Sequence, residues 1–484
     1  MIPKATLQQE PPDKPEEACG VFGIYAPGED VSKLAYFGLY ALQHRGQESA
    51  GIATFDGDRV YVHKDMGLVS QVFTESILQN LTGTLAIGHN RYSTTGSSRV
   101  VNAQPALAET PIGTLALAHN GNLVNAAELR AELLQQNCTF VTTTDSELIA
   151  LAIAEAAKTT DDWLKAAIKA FHRCHGAFSL VIGTPLGIIG TRDPYGIRPL
   201  VIGTLPSTNV PGDIHYVLAS ETCALDIIGA NYLRDVEPGE LVWITAQGLT
   251  SFYWSQPQRK LCIFEMIYFA RPDSIMHDES LYSYRLRIGQ QLAREAPAEA
   301  DIVVGVPDSG IPASIGYSQV SGIPYAEGLI KNRYVGRTFI QPTQAMRESG
   351  IRMKLNPLRD VLTGKRLVIV DDSIVRGTTS RKLVKALRDA GATEIHMRVS
   401  SPPVTHPCFY GIDTDNQDQL IGATKSVAEI ATQIGVDSLA YLSWDGMLAA
   451  TRSNPNSFCS ACFTGDYPIS VPEPLKRSKL MLET

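Results

Sequence analysis

One cysteine stands where it could act as a nucleophile. Cys19 opens the apolar run CGVFGIYA, directly after an 18-residue leader that is rich in Pro, Gln and acidic residues. A cysteine at the start of a strand is most often a small buried hydrophobic residue. If the leader were removed, however, Cys19 would also carry a free α-amine, whose ordinary pKa of about 7.7–8.0 suits it to accept the thiol proton. The sequence therefore allows two interpretations of Cys19: a core residue, or an N-terminal nucleophile that carries its own base.

Four short polar motifs follow Cys19 in the order QHRGQESAG, GHNRYST, LAHNGNL and TTTDSE. They supply guanidinium groups for a carboxylate, an acid for an ammonium group, and an amide with a glycine N–H for an oxyanion. The residues concerned are Arg45, Arg91, Asn120, Gly121 and Asp145. Each motif alone is compatible with a turn, a helix cap or a surface ion pair. Together they meet the needs of an enzyme that holds free glutamine and attacks its side-chain amide.

A second chemical motif lies late in the chain, in LVIVDDSIVRGTTS (residues 367–380). It reads as an apolar strand, two adjacent acids, a loop of small residues and the start of a helix. Backbone N–H groups and the helix dipole at residues 373–379 could hold a phosphate. Asp371 and Asp372 are placed for ribose hydroxyls or a Mg²⁺ ion. Many nucleotide enzymes have a strand that ends in acids, so the whole motif is more informative than the pair.

The elements around these motifs differ between the two parts of the chain. From Cys19 to about Gln258, short β-rich runs come in adjacent groups, and amphipathic helix candidates come in others: VSKLAYFGLYALQHR, NAAELRAELLQQN, TDSELIALAIAEAAK and WLKAAIKAFHR. This grouping predicts packed antiparallel sheets with helical layers outside. After SQPQRK, the runs DIVVGVP and RLVIVDD are continuously apolar, as is typical of strands buried on both faces of a parallel sheet. A predicted helix at 378–391 and a strand at 393–399 complete a βαβ unit.

Composition excludes several classes of protein. The 484 residues carry a net charge of −8, which argues against a general nucleic-acid binder. No apolar run is long enough to cross a bilayer, and the leader has no apolar core of a secretory signal. We therefore expect a cytoplasmic protein whose eight cysteines are ligands, nucleophiles or core residues rather than disulfide partners.

These motifs resemble those of two known families. The order of motifs after Cys19 resembles the N-terminal-nucleophile glutamine amidotransferases, and residues 367–380 match the 5-phosphoribosyl-1-pyrophosphate (PRPP) motif of type I phosphoribosyltransferases. A chain with both resembles the glutamine phosphoribosylpyrophosphate amidotransferase family, in its iron–sulfur-containing, Bacillus-like branch. The implied fold is α+β and α/β: an αββα sandwich glutaminase domain, then a phosphoribosyltransferase domain with a central parallel sheet. The expected domains are a propeptide (1–18), the glutaminase (19–258), the phosphoribosyltransferase (259–450) and a C-terminal tail (451–484).

The resemblance implies roles for residues in the first domain. Cys19 would be the nucleophile, and Asn120 with Gly121 would form the oxyanion hole. Arg91 would hold the carboxylate of glutamine and Asp145 its α-amine. Arg45 would support this glutamine-binding pocket.

In the second domain, GVPDSGIPAS (305–314) resembles a pyrophosphate loop, and KNRYVGRTFIQP (331–342) is interpreted as a hood over the pyrophosphate. Ser309, Asp371 and Asp372 are the expected Mg²⁺ residues. The implied PRPP-binding residues are Asp308, Ser309, Gly310, Lys331, Arg333, Arg337, Asp371, Asp372, Ser373, Arg376, Gly377, Thr378 and Thr379.

Four more cysteines are candidate metal ligands: Cys262, Cys408, Cys459 and Cys462. Four thiolates could bind Zn²⁺ or hold a 4Fe–4S cluster, or the residues could be unrelated buried thiols, and their spacing does not decide between these. The resemblance implies the cluster, acting as a staple that ties an irregular, Pro-rich tail to both domains.

The implied reaction is glutamine hydrolysis at Cys19, internal passage of ammonia, and displacement of pyrophosphate from PRPP to give 5-phosphoribosylamine. This is the first committed step of purine synthesis. Feedback inhibition by purine nucleotides and a homotetramer are also implied. A related glutaminase could instead feed a sugar isomerase or an adenylating domain, or the chain could be a PRPP-sensing regulator. The PRPP motif argues against the first two, and an intact set of Cys19, Asn120 and Asp372 argues against the third.

Overall fold

The computed structural model describes residues 19–92, 97–332, 355–414 and 416–472. The predicted propeptide and the predicted PRPP contacts Arg333 and Arg337 lie outside the described residues. The same is true of the last part of the tail, from residue 473 onward.

The chain divides into two compact units, which differ from the expected domain boundaries. The first, which we call the sandwich unit, comprises the described residues of Glu17–Arg287, Pro407–Asp415 and Leu448–Thr484. The second, the parallel-sheet unit, comprises those of Ile288–His406 and Asn416–Met447. The sandwich unit thus extends past residue 258 and includes two segments from later in the chain.

Two antiparallel sheets form the centre of the sandwich unit. Their strands are β1 (Gly20–Tyr25), β2 (Ser49–Asp56), β3 (Arg59–Met66), β4 (Leu85–Arg91), β5 (Ala106–Thr110), β6 (Gly113–Leu123), β7 (Gly176–Thr184), β8 (Gly187–Arg192), β9 (Val201–Pro206), β10 (Ile214–Ala219), β11 (Asn231–Asp235), β12 (Glu240–Thr245) and β13 (Gly248–Tyr253). One sheet has the order β11-β9-β10-β1-β4-β2-β3 and the other β13-β12-β8-β7-β6-β5. The predicted antiparallel sheets are therefore confirmed.

Helices accompany both sheets. They are α1 (Val31–Ala41), α2 (Val69–Val72), α3 (Glu75–Asn80), α4 (Ala126–Gln135), α5 (Asp145–Ala157), α6 (Trp163–Phe171) and α7 (Cys223–Asp226). The long ones fall within the predicted helical segments. Asp30 caps α1 by accepting a hydrogen bond from Lys33 N, and Asp162 caps α6 in the same way.

Side chains alternate across each strand, and this alternation produces four layers. Val21 of β1 packs with Val181 of β7 between the two sheets. Phe22, one residue later in β1, faces the other way and packs with Leu39 of α1. On the far side of the second sheet, residues of β6 and β7 pack against α5 and α6. The order helix, sheet, sheet, helix confirms the αββα sandwich.

A short connecting region ends the sandwich part of the chain before the parallel sheet begins. It contains β14 (Leu261–Cys262), a π-helical turn (Glu265–Phe269), the hairpin of β15 (Ile275–Met276) and β16 (Glu279–Ser280), and α8 (Leu281–Glu295).

The parallel-sheet unit contains β17 (Ile302–Gly305), α9 (Gly310–Ser321), β18 (Leu329–Lys331), β19 (Leu355–Pro357), α10 (Arg359–Leu362), β20 (Arg366–Asp371), α11 (Thr378–Asp389), β21 (Glu394–Val399), α12 (Ile421–Thr424), α13 (Val427–Ile434) and β22 (Ser438–Tyr441). Strands β17, β20, β21 and β22 are all parallel and lie in that order. Both faces of β20 are buried, because β20 lies between parallel neighbours in a sheet with a helix after each strand. The predicted βαβ unit is confirmed.

The tail is more regular than predicted, as far as the structure describes it. Helix α14 (Trp444–Ala449) precedes it, and the tail itself includes β23 (Phe458–Cys459) and α15 (Ala461–Thr464). Strand β23 pairs in parallel with β14, and Phe458 and Ala461 are buried. Apolar contacts therefore help to anchor this segment to the sandwich unit. No helix among the described residues is long and apolar enough to cross a membrane.

Candidate functional site

Cys19 lies immediately before β1, with its side chain buried. Its thiol Sγ donates a weak hydrogen bond to the carbonyl of Tyr92 at 3.4 Å. Burial raises the pKa of the Cys19 thiol to about 12, although the nearby Arg91 guanidinium acts in the opposite direction. With the leader still attached, this thiol is therefore protonated at neutral pH and is a poor nucleophile.

Asn120 and Gly121 lie on β6, which packs close to β1 and β4 in the facing sheet. The Asn120 side chain is fully buried, and neither its amide nitrogen nor its oxygen has a hydrogen-bond partner among the described residues. Leaving one such group unsatisfied costs about 1–3 kcal/mol, so an amide of this kind indicates a position that a ligand completes. Gly121 has φ +146°, and a Cβ there would lie 2.0 Å from the carbonyl oxygen of Ala177. Only glycine fits this position.

Arg91 comes from a strand of one sheet, and Asp145 comes from a helix that packs against the other sheet. Arg91 ends β4, and its Nη1 donates to Glu48 Oε1 at 2.6 Å. Asp145 begins α5, and its Oδ2 accepts a hydrogen bond from Leu123 N at 3.0 Å. Burial alone would raise the pKa of Asp145, but His119 and the Leu123 N–H outweigh it and the pKa is lowered. The charges of Arg91 and Asp145 both act on the Cys19 thiol, so the fold brings these predicted residues into one neighbourhood.

Arg45 lies deeper than a substrate contact would. It is fully buried, and its guanidinium donates to two buried carboxylates, those of Glu221 and Glu265, the latter at 2.7 Å. Arg198 donates to the same Glu265 at 2.9 Å. Arg45 therefore fits the expected supporting role, with its charge neutralised by the protein itself.

Sequence reasoning missed the partners of Arg45. Glu221 accepts hydrogen bonds from His44 and Ser274 as well as from Arg45. The sequence contains one signal that could have indicated these carboxylates: a charged residue inside an apolar stretch, such as Glu265 in CIFEMIYFA. A lone charge in such a stretch must be paired when it is buried.

In the parallel-sheet unit, Asp371 and Asp372 come at the carboxyl end of β20, and both side chains are buried. Ser309 Oγ donates to Asp372 Oδ1 at 2.5 Å, and Ser373 Oγ donates to Asp372 Oδ2 at 2.6 Å. Ser309 belongs to the loop after the neighbouring strand β17. The structure thus brings together two of the predicted loops at one edge of the sheet, where ligands of open α/β sheets bind.

The loop after β17 lies against β20. Val306 N donates to Val370 O at 2.9 Å, and Gly310 begins α9. The Pro307–Asp308 peptide bond is cis. Lys331 Nζ pairs with Asp308 Oδ2 at 2.5 Å, so the described end of the predicted hood contacts this loop.

The loop after β20 ends at Gly377, which has φ +77° and precedes α11. A residue with a side chain would be strained in this left-handed conformation. Arg376 Nε donates to Gln419 Oε1 at 3.1 Å. Thr378 and Thr379 form the first turn of α11, and the N-terminus of a helix is a place where anions commonly bind.

The four late cysteines surround one cavity, whose lining also includes Arg198, Tyr410 and Tyr467. Cys262 and Cys459 are direct neighbours across the β14–β23 pair. Burial raises the pKa of Cys262 to about 11, and burial and the neighbouring cysteines raise that of Cys462 further. Tyr410 N donates to Cys408 Sγ at 3.4 Å. All four cysteines belong to the sandwich unit, so a group bound here would join segments of that unit rather than two domains.

No group of three or more His, Cys, Asp or Glu side chains in the described ranges is arranged to hold a single metal ion. This applies to the four cysteines and to the Asp371–Asp372 edge alike.

Comparison with known proteins agrees with the two units. Residues 89–226 match the family model described as a glutamine amidotransferase domain, and residues 286–401 match that of a phosphoribosyl transferase domain. Fold and sites together therefore define a two-domain enzyme that combines these activities. The first of these matches includes Arg91, Asn120 and Asp145 but begins after Cys19.

Full-length relatives narrow the class. The chain is 72% identical over 479 residues to the amidophosphoribosyltransferase of Synechococcus elongatus, covering 99% of this chain and 97% of the relative. It is 50% identical over 462 residues to that of Bacillus subtilis, covering 94% and 95%. A solved glutamine PRPP amidotransferase from B. subtilis, complexed with ADP and GMP, superposes with a TM-score of 0.86 at 48% identity, covering 94% of this chain and 98% of that one. The chain belongs to the amidophosphoribosyltransferase family.

Proposed function

We propose that this chain hydrolyses glutamine in its sandwich unit and uses the ammonia to displace pyrophosphate from PRPP in its parallel-sheet unit. The products are glutamate, pyrophosphate and 5-phosphoribosylamine, in the first committed step of purine synthesis. The observation that carries the proposal is the presence of both sites in one chain: the unsatisfied Asn120 amide near Cys19, and the paired Asp371–Asp372 edge. Ammonia passes internally from the first site to the second, which keeps it from being protonated in bulk water.

The glutaminase reaction begins when the Cys19 sulfur attacks the side-chain carbonyl carbon of glutamine. The carbonyl oxygen gains negative charge, and Asn120 Nδ2 and the Gly121 N–H donate to it. Because the Asn120 amide is buried and already in place, it stabilises this charge without reorganisation. Collapse of the intermediate releases ammonia and leaves a γ-glutamyl thioester on Cys19, which water then hydrolyses.

Removal of residues 1–18 creates the base for this step. A thiol with a pKa of about 12 is almost entirely neutral at pH 7. A new α-amine on Cys19 can take the thiol proton, and its ammonium form then stabilises the thiolate. The intact mass of the purified protein is expected to correspond to a chain that begins at Cys19.

Substrate charges match the pocket. We assign the carboxylate of glutamine to Arg91 and its α-ammonium group to Asp145. The lowered pKa of Asp145 keeps its carboxylate charged throughout the neutral range. Arg45 stabilises the pocket from below through Glu221 and Glu265 rather than by touching glutamine.

At the second site, the loop N–H groups of residues 373–379 bind the 5-phosphate and the loop after β17 binds the pyrophosphate. Asp371 and Asp372 would hold the ribose hydroxyls and, with Ser309, the Mg²⁺ ion. Mg²⁺ is usually held by one or two carboxylates together with substrate phosphates. When bound, Mg²⁺ neutralises charge on the leaving pyrophosphate.

Cys262, Cys408, Cys459 and Cys462 are proposed to hold a 4Fe–4S cluster. Their position around one cavity and the Tyr410 N–H at Cys408 Sγ support this assignment. The cluster supplies a covalent cross-link between β14, the 407–414 segment and the tail, and no redox chemistry is assigned to it.

Regulation, assembly and location follow from family membership. Since the B. subtilis relative was solved with ADP and GMP, we infer that purine nucleotides inhibit this chain as well. A homotetramer and a cytoplasmic location, both implied by the resemblance to this family, are proposed as well.

The test separates the two sites in one variant. Cys19→Ala should lose glutamine-dependent formation of 5-phosphoribosylamine while keeping the activity supported by added ammonium salts. Cys174→Ala, which alters another buried cysteine of the same unit, serves as the matched control and should keep both activities. Glutamine-dependent activity that survives in Cys19→Ala would overturn the assignment of the nucleophile.

A further inference from the structure

Arg198 occupies an unusual place in the sandwich unit. Its side chain is fully buried, and it lines the cavity that the four cysteines surround. Among the described residues that line this cavity, Arg198 carries the only positive charge. A buried guanidinium requires partners for its charge and for its five N–H donors.

The partners that the structure provides leave part of Arg198 unsatisfied. Nε donates to the carbonyl of Tyr410 at 2.9 Å, and Nη1 donates to Glu265 Oε1 at 2.9 Å. Nη2 is buried and has no acceptor among the residues of the described ranges. An unsatisfied donor on a charged, buried group costs more than one on a neutral group, so Nη2 needs an acceptor that the protein itself does not supply.

Rigid neighbours hold the guanidinium in place. Glu265 accepts from Arg45 as well as from Arg198, and Tyr410 is fixed in turn by a hydrogen bond from its hydroxyl to Ile469 O at 2.6 Å. Ser179 Oγ donates to the backbone carbonyl of Arg198 at 2.9 Å. The orientation of Arg198 is therefore determined before anything enters the cavity.

The missing partner must be an acceptor with negative charge. Four cysteine thiolates around iron and sulfide carry a net negative charge, and bringing that charge into a buried cavity is costly without a nearby cation. Hydrogen bonds to the sulfur atoms are also a main determinant of the reduction potential of such groups.

From this geometry we propose that Arg198 Nη2 donates a hydrogen bond to a sulfur of the iron–sulfur group and balances part of its charge. The inference rests on the cluster assignment made above and deepens it. Arg198 is a positioning residue: it acts on the stability and potential of the group, and it has no direct part in glutamine or PRPP chemistry.

The experiment uses the full-length protein purified without oxygen, in three variants beside the wild type. Arg198→Met keeps the approximate length of the side chain but removes charge and donors, and Arg198→Lys keeps the charge. Arg398→Met is the matched control, because Arg398 is also buried but donates to carbonyls of Ala296, Met397 and Pro297 in the parallel-sheet unit and does not line the cavity. Iron and sulfide per chain, the midpoint reduction potential and the Fe–S stretching frequencies in resonance Raman spectra are measured for each.

We expect Arg198→Met to shift the potential to more negative values, to alter the Fe–S stretching frequencies and to shorten the half-time of bleaching in air several-fold. Arg198→Lys should restore part of each shift. Arg398→Met should leave the potential and the frequencies unchanged even if the protein is less stable. If Arg198→Met does not retain iron, the potential and the Raman bands of Arg198→Lys test the proposal instead. Loss of the donor geometry alone still shifts the Raman bands.

Two results would overturn the inference and are distinguishable. In the first, the wild-type protein contains iron and sulfide, and both Arg198 variants have the same potential and Raman bands as the wild type. This result would remove the role of Arg198 and leave the cluster assignment intact. Wild-type protein that contains one zinc per chain and no sulfide would remove the cluster assignment itself, and the proposal for Arg198 with it.

Discussion

The two catalytic regions are built in opposite ways. The pocket around Cys19 combines residues from β4, β6 and α5, and its support includes Arg45 with Glu221 and Glu265, more than 170 residues further along the chain. The PRPP edge consists of two continuous loops, each placed directly after a parallel strand. The first site is therefore assembled from segments that are distant in sequence, whereas each loop of the second is contiguous with the strand before it.

This difference explains what each site requires of the fold. Buried charges such as those of Arg45 and Glu265 are stable only when every partner is present, so the glutaminase pocket depends on the whole sandwich. N–H groups in a loop after a strand depend mainly on the local strand–loop–helix geometry. We expect mutations at the first site to lower only the glutamine-dependent activity. Mutations at the second site should lower both the glutamine-dependent and the ammonia-dependent activity.

The largest effect is expected from Asp372→Asn. The carboxylate accepts hydrogen bonds from Ser309 and Ser373, and the proposed Mg²⁺ and ribose contacts need its charge. Losing about 4 kcal/mol of transition-state stabilisation corresponds to about a 10³-fold loss of activity with either glutamine or ammonia. Asp301→Asn is the control, since Asp301 lies at the opposite end of the same sheet and pairs with Arg366. Equal activity of the two variants would contradict the PRPP assignment.

A smaller and one-sided effect is expected from Asn120→Ala. Removing one oxyanion donor should lower kcat with glutamine by about 10²–10³-fold and leave the ammonia-dependent rate unchanged. Because the Asn120 amide has no other partner among the described residues, the protein should be no less stable than the wild type apart from the small cavity. The rates with glutamine and with ammonia test the expected effect on activity, and thermal unfolding of the same variant tests the expected stability. A parallel loss of the ammonia-dependent rate would indicate a structural role for Asn120.

The smallest effect concerns stability rather than rate. Burial lowers the pKa of His89 in β4 from 6.5 to about 3, and its ring Nε2 pairs with His119 O at 2.9 Å. Since the folded pKa lies below the unfolded one, this contribution to stability is complete above pH 6.5 and is lost as the pH falls toward 3. The slope is about 1.4 kcal/mol per pH unit for one proton.

His89→Gln keeps an N–H donor at a similar position and cannot titrate, so urea unfolding at several pH values should show a shallower acid dependence for this variant. His172→Gln, on the exposed end of α6, should not change the slope. An unchanged slope in His89→Gln would mean that His89 is charged, or accessible to protons, in the folded protein.

Much of the fold could be predicted from local patterns. Helical periodicity located α1 and α4 to α6, and continuous apolar runs distinguished the parallel strands β17 and β20 from the antiparallel ones. These signals are strong because burial on one or two faces directly selects residue types. The tail was less predictable, since β23 and α15 are too short to show a period and depend on pairing with β14.

The candidate sites were predictable to the extent that their residues are contiguous or chemically distinctive. The candidate PRPP loops could be predicted whole, because a strand, two acids and a glycine-containing turn are adjacent in sequence. Cys19, Asn120 and Asp145 were predicted as residues of the glutaminase pocket, but the buried charges of Glu221, Glu265 and Arg198 were not. Their significance comes from pairing across long separations, which one sequence does not display.

The sequence by itself therefore determined the two sheet types, the two chemistries and the candidate nucleophile, because apolar periodicity and short motifs are local properties of the chain. Only the tertiary structure decided that Arg45 is neutralised by Glu221 and Glu265 and that four distant cysteines and Arg198 share one cavity. It also decided that all four cysteines belong to the sandwich unit. These features are pairings of buried charges, and whether a buried charge is satisfied depends on which distant segments the fold brings within about 3 Å of it.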